Sequence, residues 1–183
     1  MSALLGEKPG VRVLSADDEA KRLMVEKEEL RNALAARFGS DIYRSDGSLN
    51  RAGLAARVFG DSKELEALNA IVHPAVREEL GESIRQAEDD DIDLFVYEAA
   101  LFYEIGVQNL VDAVLLVDAP AEARIHRVMK RDGSTRSEVL ARMTNQLAPD
   151  DVRAQADFVV DNDGDLATLH DSVDALYDSL LGK

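Results

Sequence analysis

The 183 residues contain no cysteine and no tryptophan. Without thiols the chain can form neither a disulfide nor a thiolate metal site. Its three histidines, His73, His126 and His170, are scattered and show no metal-ligand spacing, so no metal site is expected. No apolar run approaches the roughly 20 residues of a membrane-spanning helix, and the N-terminus lacks the basic-then-apolar pattern of a secretion signal. The expectation is a soluble, cytoplasmic protein with no membrane partner.

Lysine is also scarce, at 6 residues against 15 arginines, and 36 acidic residues bring the net charge to −15. Such a surface repels a phosphate backbone, which argues against a nucleic-acid partner. Two readings of the acidity stay open. It can be ordinary solubility, or it can suit a cytoplasm of high salt, where repulsion is screened.

Against this background one stretch stands out. Between Arg124 and Arg153 seven basic residues (Arg124, Arg127, Lys130, Arg131, Arg136, Arg142, Arg153) face four acidic ones (Asp132, Glu138, Asp150, Asp151). The stretch carries +3 and leaves −18 on the rest of the chain. A bound polyphosphate would account for such an island, because guanidinium groups pair phosphate oxygens with a planar fork of donors.

A hydrophobic content of 46% supports a real core, and the length suits one domain with a small inserted subdomain. Met1–Leu5 reads as helix, residues 6–10 as a turn, and Val11–Leu14 as a short strand. Ser15-Ala16-Asp17-Asp18 is an acidic helix start, and the helix is expected to run unbroken to Phe38, where Gly39 ends it. Ser45–Ser48 is a turn. Further helices are expected over Arg51–Phe59 and Ser62–Ala87, the second broken near His73-Pro74, with Glu88–Asp91 as a solvated loop. Leu94–Tyr97 and Ala113–Val117 are apolar runs that fit strands covered on both faces, and Phe158–Val160 is a last strand. Helical patterns follow, with Ile125, Val128 and Met129, then Val139, Leu140, Met143 and Leu147 facing inward. A final helix carries Leu166, Leu169, Val173, Leu176 and Leu180 as a core stripe. Alternating strands and helices argue for a wound α/β fold.

Ligands bind such sheets at the carboxyl ends of the strands. Asp17 and Asp18, Glu98 and Asp118 fall there. Asp17 reads equally as a helix cap or as a catalytic carboxylate, and Asp118, before Ala119-Pro120, reads more readily as a cap or turn. Arg127 and Arg131 stand four apart on one helical face, so both could reach a single phosphate chain.

Several runs, in order, resemble the dephospho-coenzyme A kinase family. They are Ser15-Ala16-Asp17-Asp18-Glu19-Ala20-Lys21; Phe38-Gly39 with Asp46–Arg51, Leu54 and Val58-Phe59; Leu68-Asn69-Ala70-Ile71-Val72-His73-Pro74; Ala100–Gly106; Arg127–Asp132 with Arg142 and Gln146; and Arg153 with Ala156–Asn162. The resemblance implies a parallel-sheet, three-layer P-loop kinase-like α/β fold in one domain, residues 1–183. A helical substrate-binding insertion would cover about 38–88 and a small lid about 131–153. It implies ATP and Mg²⁺ as cofactors and dephospho-CoA as substrate, phosphorylated on its ribose 3′-hydroxyl in the last step of coenzyme A synthesis. Asp17 matches the second Asp of the family's entry motif and would be the base. The first Asp is Ser15 here. His73 and Glu104 would bind substrate, and Arg127, Arg131, Arg142 and Arg153 would grip phosphate.

One family feature has no counterpart. Nothing in the 183 residues matches G-x-x-x-x-G-K-[ST], and Lys8-Pro9 cannot open a helix with free N–H groups aimed at an anion. The resemblance places the strand that leads into this loop inside the sheet, between two others. The sequence therefore implies a kinase body that is inactive and weakened in this form. The alternatives are a loop-less CoA-binding or interaction homologue, or another nucleotide or nucleoside kinase.

Overall fold

The computed structural model describes residues 1–58, 61–144, 146 and 149–182. Contacts divide the chain into two units, Leu14–Ala99 and a second formed by Met1–Val13 with Ala100–Lys183. The architecture is mixed α/β with four strands, β1 (Val11–Ser15), β2 (Leu94–Glu98), β3 (Leu115–Asp118) and β4 (Phe158–Asp161). They pair as two separate two-stranded sheets, β1 with β2 and β3 with β4.

In the Leu14–Ala99 unit, helices α2 (Ala16–Glu26), α3 (Glu28–Phe38), α4 (Arg51–Val58) and α5 (Ser62–Asp89) enclose a hydrophobic core cluster. Leu34, Ile42 and Leu80 are fully buried. Each such side chain contributes about 1.5–3 kcal/mol of burial.

The expected single helix to Phe38 is two helices, because Lys27 takes an extended conformation (φ −81°, ψ 110°). The carbonyls this break exposes find donors. Tyr43 Oη bonds the Met24 carbonyl and Arg31 Nη1 the Val25 carbonyl, each at 2.8 Å. Gly39 does end α3, with φ 90°. The turn at Ser45–Ser48 is present, closed by the Tyr43–Leu49 bridge and the Arg44 amide donating to the Ser48 carbonyl at 2.8 Å. The expected end of α4 at Phe59 lies outside the described residues.

α5 is continuous for 28 residues, so the expected break at His73-Pro74 does not occur. Pro74 has no N–H to give the Ala70 carbonyl. The helix survives because it is anchored on both sides of the proline, by Val72 before it and Val76 and Leu80 after it, and packs against α2, α3 and α4. Its start is capped by Asp61, which accepts from the Lys63 amide at 2.9 Å and the Glu64 amide at 3.4 Å. The acidic stretch expected as a loop is helical through Asp89, and Asp91 then turns the chain with φ 52°.

In the other unit, β3 and β4 run parallel with Leu115 opposite Phe158 and Asp118 opposite Asp161. α1 (Ser2–Gly6) packs on α10 (Leu166–Leu181), where Tyr177 Oη donates to the Pro9 carbonyl at 2.8 Å. Between them in sequence lie α6 (Phe102–Ile105), α7 (Ala121–Asp132), α8 (Arg136–Met143) and α9 (Pro149–Gln155). The periodicity argument foresaw neither α6 nor α9. Leu147, expected to face the core, lies outside the described residues.

Two packing expectations fail here. β3 is not covered on both faces, since Val117 is exposed, as is Val159 on β4. A sheet of two strands has too little face for helices to cover. Leu166, expected at the head of the α10 stripe, is 65% exposed, while Val173, Leu176 and Tyr177 carry the packing. Leu166 is the first residue of the helix, where Asp165 accepts from the Thr168 amide at 2.9 Å and its own side chain is left in solvent.

Candidate active site

α2 opens on Ser15, the last residue of β1, whose Oγ accepts from the Asp18 amide at 3.4 Å. Serine is therefore the cap, and the capping reading of Asp17 falls. Asp17 lies in the first turn with Asp18 and Glu19, where the helix dipole favours negative charge. Its side chain is 78% exposed and ion-paired with Lys21. The same ammonium bonds Asp18 at 2.8 Å and holds that carboxyl below its ordinary range, with a weaker pull from Arg51. A carboxylate so placed can take the proton of a hydroxyl brought within hydrogen-bond reach.

The same unit holds His73, half-buried on α5 just before Pro74. Tyr97 on β2 has a buried hydroxyl with no protein partner among the described residues. Burial, with the nearby Glu19 charge, pushes its pKa up to about 12.

In the other unit the carboxyl ends of β3 and β4 carry a charged clasp. Asp118 Oδ1 accepts from the Ala119 amide at 2.8 Å, the turn role expected for it. Its Oδ2 accepts from Arg153 Nη1 at 3.0 Å, and that nitrogen also donates to Asp161 Oδ1 at 3.0 Å. The hydrogen bond to Asp161 holds the Arg153 pKa up, and Arg153 holds the Asp161 carboxyl down. Beside the clasp lies a cavity of about 340 Å³, lined by Asp118, Arg124, Asp161 and Asp163 among others. Arg124 Nε is buried there with no hydrogen-bond partner among the described residues. Sequence reasoning gave Arg124 no role beyond membership of the basic island, which was the one signal available.

The remaining arginines do not all converge. Arg127 Nη1 donates to the Asn162 carbonyl at 2.8 Å, whereas Arg131 forks the Asp132 carboxylate at 2.7 and 3.1 Å. These two, expected to reach one phosphate chain, are aimed at different acceptors. Arg142 instead joins Arg131, its Nη1 lying 3.2 Å from Asp132 Oδ2. Glu104 is exposed on α6. Asp17 and His73 thus belong to one unit, and Glu104 and the four arginines to the other. Among the described residues no group of three or more His, Asp or Glu could hold a metal, and no helix is long and apolar enough to cross a membrane.

A family model described as dephospho-CoA kinase matches residues 1–168. The chain belongs to the dephospho-CoA kinase family. It is 42% identical over 176 residues to a dephospho-CoA kinase of Salinibacter ruber, a match covering 96% of this chain and 88% of the relative. A dephospho-CoA kinase of Corynebacterium glutamicum is 37% identical, with 95% of this chain and 87% of the relative covered. Among solved structures, a crystal structure of a Thermus thermophilus protein superposes with a TM-score of 0.75 at 36% identity, covering 97% of this chain and 89% of that one. The dephospho-CoA kinase from Campylobacter jejuni, at 21% identity and a TM-score of 0.71, shares the fold, with 99% of this chain and 92% of that one covered. The fold is thus that of a kinase body, and the family is one of ATP-dependent phosphotransferases.

Proposed function

We propose that this chain is the body of a kinase that, supplied with a phosphate-binding loop, transfers the γ-phosphoryl group of ATP to the ribose 3′-hydroxyl of dephospho-CoA, giving coenzyme A and ADP. The observation that carries the reading is the family match over residues 1–168. The position of Asp17, solvent-facing and relieved of capping by Ser15, supports it. Asp17 accepts the proton of the 3′-hydroxyl as the oxygen bonds to the γ-phosphorus. The bond from that phosphorus to the bridging oxygen of ADP breaks, and the β-phosphate takes the charge. Arg131, Arg142 and Arg153 offset charge on the transferring group, and Arg127 binds phosphate. His73 and Glu104 bind dephospho-CoA. Residues about 38–88 form the substrate-binding insertion and about 131–153 the lid, as parts of one kinase domain.

Among the described residues no three or more His, Asp or Glu gather into an all-protein metal cage. The expected place of Mg²⁺ is on the ATP phosphates. A cytoplasmic setting without nucleic-acid or membrane partners follows from the acidic, cysteine-free composition.

A second reading has its own support. The absence of G-x-x-x-x-G-K-[ST] from the 183 residues favours a protein that binds CoA without turning it over. Calorimetric binding of dephospho-CoA, with a coupled assay of ADP release by a form supplied with a phosphate-binding loop, separates the two. Binding with turnover supports the kinase, binding without turnover supports the second reading, and no binding would sink both.

A further inference from the structure

The last residue of α7 is an acid at the end where the helix dipole favours a base. Asp132 lies at the negative end of Ala121–Asp132, after Lys130 and Arg131, which suit it. Helix stability does not explain a carboxylate there. Its contacts do. Arg131 donates to it twice, from Nε at 2.7 Å to Oδ1 and from Nη2 at 3.1 Å to Oδ2. Arg142 Nη1 reaches Oδ2 at 3.2 Å, while its Nη2 lies 3.3 Å from Ser134 Oγ.

The side-chain exposures are lopsided. The side chain of Asp132 is 27% exposed, whereas those of Arg131 and Arg142 are 74% and 55% exposed. One sheltered carboxylate therefore gathers two outward guanidinium groups from different helices, α7 and α8. To a guanidinium fork, a carboxylate and a phosphate present the same pair of oxygens.

We propose that Asp132 is a positioning residue that stands in for phosphate: it holds Arg131 and Arg142 on one anionic point and yields them to an incoming polyphosphate. This rests on the reading that these two arginines grip the phosphates of ATP. Asp132 then has two opposed effects. It keeps the pair gathered, and it competes with the ligand for them. Its removal releases the donors that Arg131 and Arg142 direct at it, so affinity for a bare polyphosphate rises. Partly exposed ion pairs are weak, and the expected gain is about two- to fivefold.

The test is calorimetric titration of the whole chain with inorganic tripolyphosphate, which needs no turnover. Asp132→Asn is expected to bind about two- to fivefold tighter than wild type, and Asp132→Glu, which keeps the charge, close to wild type. Asp171→Asn, on the exposed face of α10, controls for net charge and is expected to change nothing. Arg131→Ala with Arg142→Ala is expected to bind more weakly, and circular dichroism checks that each variant folds. Weakened binding by the arginine variant beside an Asp132→Asn that gains nothing overturns the proposal and leaves the phosphate grip standing. A gain matched by Asp171→Asn also overturns it, as a charge effect. Arginine variants that bind like wild type, or a chain that binds no tripolyphosphate in any form, overturn both the grip and the proposal.

Discussion

Asp17 and Lys21 form an ion pair one helical turn apart at the start of α2, and the same ammonium holds Asp18 at 2.8 Å. The two carboxylates share a counter-ion but differ in duty. The amide of Asp18 bonds the Ser15 cap, both side chains pair with Lys21 and face solvent (78% exposed at Asp17, 74% at Asp18), and Asp17 is the one that matches the family's entry motif.

Asp17→Asn is accordingly expected to lower kcat by about 10²–10⁴ while leaving the KM for dephospho-CoA little changed, the signature of a lost general base. Asp18→Asn is expected to change kcat by less than about threefold, because the proposed base is Asp17 and the Asp18 carboxylate contributes only a weak exposed pairing. Steady-state kinetics of both, in a form supplied with a phosphate-binding loop, decides it. Equal effects would reduce Asp17 to part of a diffuse acidic turn.

Arg131→Ala is expected to cost more turnover than Arg124→Ala, about 10²–10³ in kcat for loss of a charge-stabilising donor. Arg131 projects from α7 and pairs with Asp132, while Arg124 lies against the cavity at the strand ends with its Nε buried. The Arg124 variant is expected to show its effect in KM for ATP or in stability. A kcat loss as large for Arg124→Ala would move the phosphate grip to the cavity.

What could be read from the residues, and what could not, divides along physical lines. Gly39 and the Asp46-Gly47 turn were legible because positive φ demands particular residues there (90° at Gly39, 83° at Gly47). The β-prone runs gave all four strands to within two residues. The break at Lys27 was not legible, since no glycine or proline marks it and its partners, Arg31 and Tyr43, act through tertiary contacts. Pro74 misled in the opposite direction, because packing around it outweighs one lost hydrogen bond. The acidic start at Asp17 and the basic island were visible as charge patterns. Their pairing onto Asp132, Asp118 and Asp161 was not, because spacing says nothing of which acid meets which base.

Core substitutions should separate by burial. Leu34→Ala and Leu80→Ala, both fully buried, are expected to destabilise by about 2–5 kcal/mol, and Leu166→Ala by no more than about 0.5 kcal/mol. Urea unfolding followed by circular dichroism measures all three. A large loss at Leu166 would mean that the solvent-exposed head of α10 is covered in solution.

The clasp of Arg153 on Asp161 and Asp118 predicts an acid-sensitive stability. Arg153 holds the Asp161 carboxyl below its ordinary 3.8, so the folded chain binds this proton more weakly than the unfolded chain does. The stabilisation is therefore fully present above that ordinary value and is lost as pH falls through the lower folded value. Asp161→Asn removes it at every pH. Wild type is thus expected to melt above Asp161→Asn at pH 6, with the gap closing as pH is lowered below about 4. The pair is exposed, so the gap should be small and should shrink in 1 M salt, where screening extends to about 3 Å. Asp118 still holds Arg153 in the variant, so the double change Asp118→Asn with Asp161→Asn should show the larger gap. Thermal unfolding of the three proteins across pH 3–7 is the measurement. A gap that stays constant to pH 3 would show that the Asp161 carboxylate contributes through its shape and hydrogen bonds alone, and that its charge does not hold Arg153 at the strand ends.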